Sequence, residues 1–285
     1  MKKGILIFLS LALSTALLTA CGSTGGNSGK SDESSTGELS GSVATNGSTS
    51  MEKVIGILSE QFMNDHSGVK VSYDATGSGT GIESVSNSSC DIGLSSRALT
   101  KDETAKGLVG TNVALDGIAI IVNANSKIDN LTLKQISSIF TGDSKDWKEA
   151  GGTSGSIAAI GREAGSGTRD GFESITGTKD KCKLAQELTS TGAVIEAVKN
   201  SPNTIGYASF SDVEGKAGVK AITVDGVKCS EKTLLDGTYK IQRPFVLVTK
   251  KGVKLSKQAQ AFFDFAISPK TGDLIAKAGV VSAAK

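Results

Sequence analysis

GREAGSGTR, at positions 161–169, places two arginines around a run of small residues and leads into an apparent helix, DGFESIT. Backbone N–H groups at a helix start have no intrahelical partner, and hydroxyls beside them add further donors, so such a stretch is suited to holding an anion. The same composition recurs in GSTS at 47–50, GSGTG at 77–81 and SSR at 95–97, alongside the GSGT of 165–168. Any one of these reads more readily as an ordinary cap or turn, because Ser, Thr and Gly favour both. Four of them, each after a predicted strand, describe a cage of dipoles around a small tetrahedral oxyanion. Arg162 and Arg97 are the charged candidates, since a guanidinium grips two oxyanion oxygens as a fork. Arg169 reads as a surface ion pair. A handful of charge-assisted bonds, roughly 1.5–3 kcal/mol each, corresponds to binding of about micromolar or tighter once association costs are met.

The residues for turnover are missing from this pattern. The chain contains no P-loop, no dinucleotide-binding glycine fingerprint and no nucleophile elbow. Its one histidine, His66, falls at the end of a predicted helix, where a cation is favoured, so a Ser-His-Asp triad has no base. Asp91 and Asp116 each abut a buried apolar strand and read as structural hydrogen-bonding groups. Ser166 has no activating partner in view. No catalytic residue, cofactor or metal site is expected, and no Cys/His spacing suits zinc.

The elements that must position these turns alternate. Strands are predicted at 39–44, 69–73, 90–94, 115–122, 156–160, 204–208 and 244–248. Helices are predicted at 51–66, from about 82, at 133–140 with Thr132 as cap, and at 193–199, 259–267 and 272–278. Such alternation indicates an α/β fold with mostly parallel sheets, in which ligands sit at the carboxyl ends of strands beside helix N-termini. Two lobes are expected, 39–118 plus 244–285 and 119–243, with the chain crossing near 116–124 and 240–246.

The ends and the composition bound the setting. Lys2 and Lys3 precede an apolar run ending in LTAC at 18–21, the pattern of a secretory signal over 1–20 and too short to span a bilayer. The tetrapeptide resembles a bacterial lipobox, which makes Cys21 the lipid-modified first residue of the mature chain and anchors it to a bilayer. Residues 21–38 are almost free of apolar side chains and read as a flexible tether. The whole chain holds 31 Lys+Arg and 29 Asp+Glu, and loss of the two signal lysines leaves 29 of each. A net charge near zero argues against nucleic acid as a partner, so any anion site is local. Beyond Cys21 remain Cys90, Cys182 and Cys229, with Cys182–Cys229 the most plausible disulfide.

Together NGSTSM, TGSGTGIESV, DIGLSSRAL, VALDGIAIIVNANS, LTLKQISSIFTGDSKDW, GREAGSGTRDGFE and SPNTIGYASF resemble the phosphate-binding lipoproteins of bacterial phosphate-specific ABC transporters, in their Gram-positive form. The resemblance covers essentially the whole body. It implies a two-lobed, hinge-closing solute-binding fold (type II, periplasmic-binding-protein-like), a mixed sheet flanked by helices in each lobe, and inorganic phosphate in the cleft. Its partners would be phosphate and a membrane-embedded ABC permease, with the protein a monomer on the outer face of the cell membrane. By motif, the implied phosphate ligands are Thr49, Ser50, Ser78, Ser96 with Arg97 beside it, Arg162, Ser166, Gly167 and Thr168, with Ser50 and Gly167 acting through backbone N–H groups. Ser96 departs from Gram-negative members, which carry an aspartate there, and this leaves the origin of phosphate-over-sulfate selectivity open. The alternatives are a same-fold receptor for sulfate, molybdate or tungstate, and a secreted phosphatase or hydrolase acting through Ser166.

Overall fold

The structure, a computed structural model, describes residues 38–283; the expected signal peptide, Cys21 and all of the expected tether except Glu38 lie outside them. The chain opens with strand β1 (Ser40–Gly47), a 3-10 turn over Thr49–Met51 and helix α1 (Glu52–Asp65). Next come β2 (Gly68–Ala75), α2 (Ser78–Ser86), β3 (Ile92–Ser95) and the short α3 (Lys101–Ala105). A long strand, β4 (Leu108–Asn123), leads to β5 (Asn130–Leu131), α4 (Leu133–Thr141), β6 (Ala158–Arg162), α5 (Gly167–Thr176), β7 (Gln186–Leu188) and α6 (Thr191–Lys199). Then follow β8 (Thr204–Ser209), α7 (Phe210–Val213), β9 (Val219–Ala221), β10 (Thr223–Val224) and α8 (Glu231–Leu235). The return strand β11 (Gln242–Lys250) precedes α9 (Lys257–Ala266), α10 (Gly272–Lys277) and β12 (Val281–Ser282).

One sheet runs through the body in the order β2-β1-β3-β11-β4-β8-β6-β7. Its flanks are parallel, β1 with β2 and β3 on one side and β6 with β7 and β8 on the other. Its centre is antiparallel, which corrects the mostly parallel expectation. The cause is that β4 carries the chain out and β11 carries it back, so the two run in opposite directions. The first part of β4 pairs with β11 up to Gly117, and Ile118 to Val122 pair with β8. Only 115–122 of this strand is legible in the sequence, because LVGTNVA at 108–114 mixes polar and apolar residues without strict alternation.

Two large cores flank this crossing. One packs Val54, Leu58 and Phe62 of α1 against Phe245 and Leu247 of β11 and Phe262 of α9. The other packs Ile118 to Val122 of β4 against Phe140, Phe172 and Tyr207. Each buried Leu, Ile or Phe contributes roughly 1.5–3 kcal/mol by leaving water, so each core holds its own helices on the sheet. The Phe172 and Tyr207 rings stack with centroids 4.1 Å apart, which seats α5 on β8. Local signals decide the ends. Thr132 and Gln135 form a capping box at α4, and α1 stops at His66, whose ring lies against Phe62. Asp91 accepts a hydrogen bond from the Ala44 N–H, a structural role.

The Cys182–Cys229 pairing is not formed. Cys182 is tied to Thr178 just beyond α5, while Cys229 is buried close to Gly117 of β4, so each thiol is held by different neighbours. Burial pushes both thiols up, Cys182 to about 11. No helix among the described residues is long and apolar enough to cross a membrane.

Candidate anion-binding site

Four helix starts converge between the two cores: the 3-10 turn that leads into α1, and the first turns of α2, α5 and α6. Their first residues meet, Thr49 with Thr191, Ser50 with Thr168 and Gly167 with Ser78, and each such start carries unpaired N–H groups and a positive dipole end. The sequence places the second of these helices from about 82, but α2 begins at Ser78, so Ser78 itself sits in the first turn. Ser166 caps α5, accepting from the Arg169 N–H at 3.4 Å. Gly167 and Thr168 follow as the first two helical residues, where N–H groups have no intrahelical acceptor.

Gly167 shows why small residues are required here. A Cβ at that position would lie 2.5 Å from Ser78 Oγ and 2.7 Å from Ser96 Oγ. The α5 start therefore comes this close to Ser78 and Ser96 only because it lacks a side chain. Gly47, with φ of +141°, turns the end of β1 into the 3-10 turn in a conformation that other residues rarely adopt.

The structure brings Thr49, Ser50, Ser78, Ser96, Arg162, Ser166, Gly167 and Thr168 together, all of them buried. Arg162 is 2 % exposed at the end of β6. Its Nε donates to the Leu188 carbonyl at 3.0 Å and its Nη2 to the Thr189 carbonyl at 2.8 Å. Its Nη1 donates to Thr49 Oγ1 at 2.9 Å and to Thr191 Oγ1 at 3.4 Å. Its backbone N–H donates to the Tyr207 hydroxyl at 3.1 Å, so the stacked aromatic cluster fixes its origin. Burial pushes the guanidinium down to about 10, helped by the Arg243 charge and opposed by Tyr207, Glu163 and Tyr73; it stays charged at neutral pH.

Of the chain's four arginines, the other three have carboxylate partners. Arg97 binds Glu103 through both Nη atoms at 2.8 Å and Asp170 through Nε at 2.7 Å. Its hydrogen bond to Arg97 holds the Glu103 carboxyl down at about 2. Arg97 is thus engaged by acids, and its guanidinium makes no hydrogen bond to the hydroxyl cluster. Arg169 joins Glu173 and Glu187 and also donates to the Arg162 carbonyl at 2.9 Å. It is mostly buried rather than on the surface, and it braces the main chain of Arg162. Arg243 pairs with Asp116 at 3.0 Å directly across β11 and β4, both side chains buried. Arg243 also donates to the Ser96 carbonyl, tying the crossing strands to the third turn. Burial pushes the Asp116 carboxyl up to about 6 against the opposing pull of Arg243, and burial with the Asp116 and Glu52 charges pushes Asp212 up to about 7.

Thr191 belongs to the cluster although sequence reasoning passed over it. Its hydroxyl lies 2.9 Å from Ser50 Oγ and 3.1 Å from Thr49 Oγ1, and its N–H donates to Thr49 Oγ1 at 3.2 Å. The signal was available: Ser190-Thr191-Gly192 precedes a helix with the composition of the other turns. The remaining links are Ser50 to Thr168 at 2.7 Å and Ser78 to Ser96 at 3.2 Å. Among the described residues no carboxylate bonds to any of these hydroxyls or to Arg162. Chemically the arrangement is a buried cation ringed by neutral donors, suited to a compact multivalent oxyanion.

The model of the PBP superfamily domain matches residues 32–270. The chain is 33% identical over 246 residues to the phosphate-binding protein PstS of Bacillus subtilis, covering 84% of this chain and 81% of that one. It is 30% identical to the protein of the same name in Staphylococcus aureus, covering 95% and 85%. Among solved structures, a phosphate ABC transporter substrate-binding protein with bound phosphate from Clostridium perfringens superposes with a TM-score of 0.80 at 34% identity, over 85% of this chain and 100% of that one. An ABC-type phosphate transport receptor from Vibrio cholerae superposes with a TM-score of 0.69 at 30% identity, over 84% and 99%.

Proposed function

The chain belongs to the PBP superfamily and, within it, to the phosphate-binding PstS proteins, and from that premise we propose that it captures inorganic phosphate outside the cytoplasm and delivers it to a membrane-embedded ABC permease. The observation that carries this is Arg162, a guanidinium buried among helix starts and hydroxyls that has no carboxylate partner among the described residues. A buried charge needs compensation, and an anionic ligand supplies it. Thr49, Ser50, Ser78, Ser96, Ser166, Gly167 and Thr168 surround the ion with hydroxyls and N–H groups. Arg97 steadies the third turn from outside, through Glu103 and Asp170.

The lobes are 39–118 plus 244–285 and 119–243, and they close over the ion by bending where β4 and β11 cross. Contacts between the two groups of residues support closure around the site, among them Arg97–Asp170, Lys53 to the Ser211 carbonyl and Gly79 to the Gly165 carbonyl. The cargo is carried without reaction: Ser166 Oγ is engaged as a helix cap and has no base beside it. The protein acts as a monomer, without a cofactor, metal or nucleic acid. It is held to the outer face of the cell membrane by lipid on Cys21, through the tether to residue 38.

Equilibrium dialysis with radiolabelled phosphate tests the central claim. One phosphate per chain at micromolar ligand is expected, and no binding at that concentration would end the proposal. For the anchor, Cys21→Ala should release the protein from the membrane fraction into the medium.

A further inference from the structure

The end of the sheet from which the chain runs back toward Cys21 has a chemistry of its own. β1 starts there, at Ser40, and reaches the anion site at its other end, Gly47. β3 runs parallel to β1 and β11 antiparallel to β3, so β11 leaves the site and ends, at Lys250, on the side where β1 begins. The turn after it stays close to β1. Lys254 and Val253 line one notch with Ala44, and Gln258 in the first turn of α9 donates to the Ser42 carbonyl at 3.3 Å, which sets Lys257 beside the start of β1. The Lys251 N–H donates to the Gly107 carbonyl at 2.8 Å, which brings Lys106 to the same place.

This surface is cationic and partly apolar. No acid occurs between Asp236 and Asp264, while Lys250, Lys251, Lys254 and Lys257 fall within that interval. Lys106, Lys251, Lys254 and Lys257 are exposed and none is in an ion pair; the ion-paired lysines among the described residues are Lys199 and Lys220. Acids on the adjoining stretches are Glu38, Asp91 and Asp102, of which Asp91 is engaged by the Ala44 N–H. Val253 is 51 % exposed, and Val109, opposite Thr249 in the sheet, is 42 % exposed. They are two of the three large apolar side chains exposed among the described residues, and both stand among these lysines. Ammonium groups around protruding apolar side chains match a lipid surface, whose phosphates take the charges while the boundary below them takes the valines.

We propose that this surface rests on anionic lipid headgroups and orients the body on the membrane. The inference rests on the lipid anchor at Cys21 proposed above. Residues 22–37 join that anchor to Glu38 at this same end and reach at most about 60 Å, so the tether makes an otherwise weak contact intramolecular. Each lysine near an anionic surface strengthens binding roughly fivefold, and salt screens the attraction over about 8 Å at physiological strength. The contact therefore orients a body already held there. It also keeps the anion site off the negative surface. Lys250 lies beyond Val246, the partner of Ser95, by about 13 Å of strand, more than the screening length of about 8 Å, so headgroup charge does not repel incoming phosphate.

The test is cosedimentation of the Cys21→Ala chain, which carries no lipid, with vesicles of phosphatidylcholine alone or mixed with phosphatidylglycerol. At about 0.01 M salt, where screening acts over about 30 Å, the chain should bind only the mixed vesicles, and about 1 M salt should abolish binding. Lys251→Gln, Lys254→Gln and Lys257→Gln together should weaken it at least about tenfold. Lys127→Gln, Lys134→Gln and Lys148→Gln together remove the same charge beyond the far end of β4 and should change it less than about threefold. Val253→Glu puts an acid among the lysines and should also weaken binding about tenfold, so the inference stays testable if one variant fails to fold. Equal binding to both kinds of vesicle, or equal losses in the two triple variants, overturns the inference and leaves the anchor standing. A Cys21→Ala chain that stays in the cell-membrane fraction through a wash at about 1 M salt removes the anchor, and the inference with it.

Discussion

Replacing Arg162 by Ala is the sharpest perturbation of the site. The guanidinium has five N–H groups, and the structure engages four of them with Leu188, Thr189, Thr49 and Thr191. One hydrogen on Nη2 is therefore available to a ligand, and the long 3.4 Å contact to Thr191 is the second that a ligand oxygen would displace. One to two charge-assisted bonds at roughly 1.5–3 kcal/mol each give about 2–6 kcal/mol, or roughly 30-fold to 10⁴-fold in Kd. The same change leaves the Leu188 and Thr189 carbonyls without their donor, at about 1–3 kcal/mol of stability. Two measurements separate the effects: melting of the ligand-free protein, and the further rise in melting temperature when phosphate is added. In the wild type, ligand at about 100 times Kd adds about 2.7 kcal/mol; in Arg162→Ala the same concentration should add less than about 1 kcal/mol. Arg162→Lys keeps the charge without the fork and should fall between. An Arg162→Ala protein that binds phosphate within about threefold of wild type would refute the assignment of this buried cation as the ion's counter-charge.

Arg169→Ala should lower stability more than affinity, by about 1–3 kcal/mol, because Glu173 loses its main partner and Arg162 loses only a brace; calorimetry should show a phosphate Kd that moves less than tenfold. Gly167→Ala should keep the ligand-free fold yet weaken phosphate binding at least tenfold, since its Cβ would press on Ser78 and Ser96 and hold the lobes apart; small-angle scattering should then show less compaction on adding phosphate. Arg243→Ala should cost about 3–5 kcal/mol in chemical denaturation, because it strands the buried Asp116 carboxylate. Asp212 has its folded pKa raised to about 7, so the folded state holds a proton that the unfolded chain releases near the ordinary carboxylate value. Stability from this group is present at low pH and is lost as pH rises through about 7. The difference curve between Asp212→Asn and wild type should therefore favour the variant increasingly from about pH 4 to about pH 7; a flat difference curve would contradict the burial of that carboxyl.

The features legible in the amino-acid sequence alone are local ones. Caps and periodicity act between residues a few positions apart, so Thr132 at α4, the stripe of α1 and the four hydroxyl-rich turns can be read directly from residue order. The same holds for Arg162 as a candidate, since it sits where a strand runs into such a turn. Which candidates meet depends on the packed fold. Arg162 reaches Thr49 across 113 positions and Ser50 reaches Thr191 across 141, and no local rule reports such pairs. Arg97 and Arg162 look alike in sequence, but folding brings Glu103 and Asp170 to the first and, among the described residues, no carboxylate to the second. The antiparallel centre of the sheet, the separate environments of Cys182 and Cys229, and the place of Thr191 are settled in the same way. Hydrogen bonds and ion pairs act over a few ångströms, and only the packing of the two cores sets which distant residues come that close.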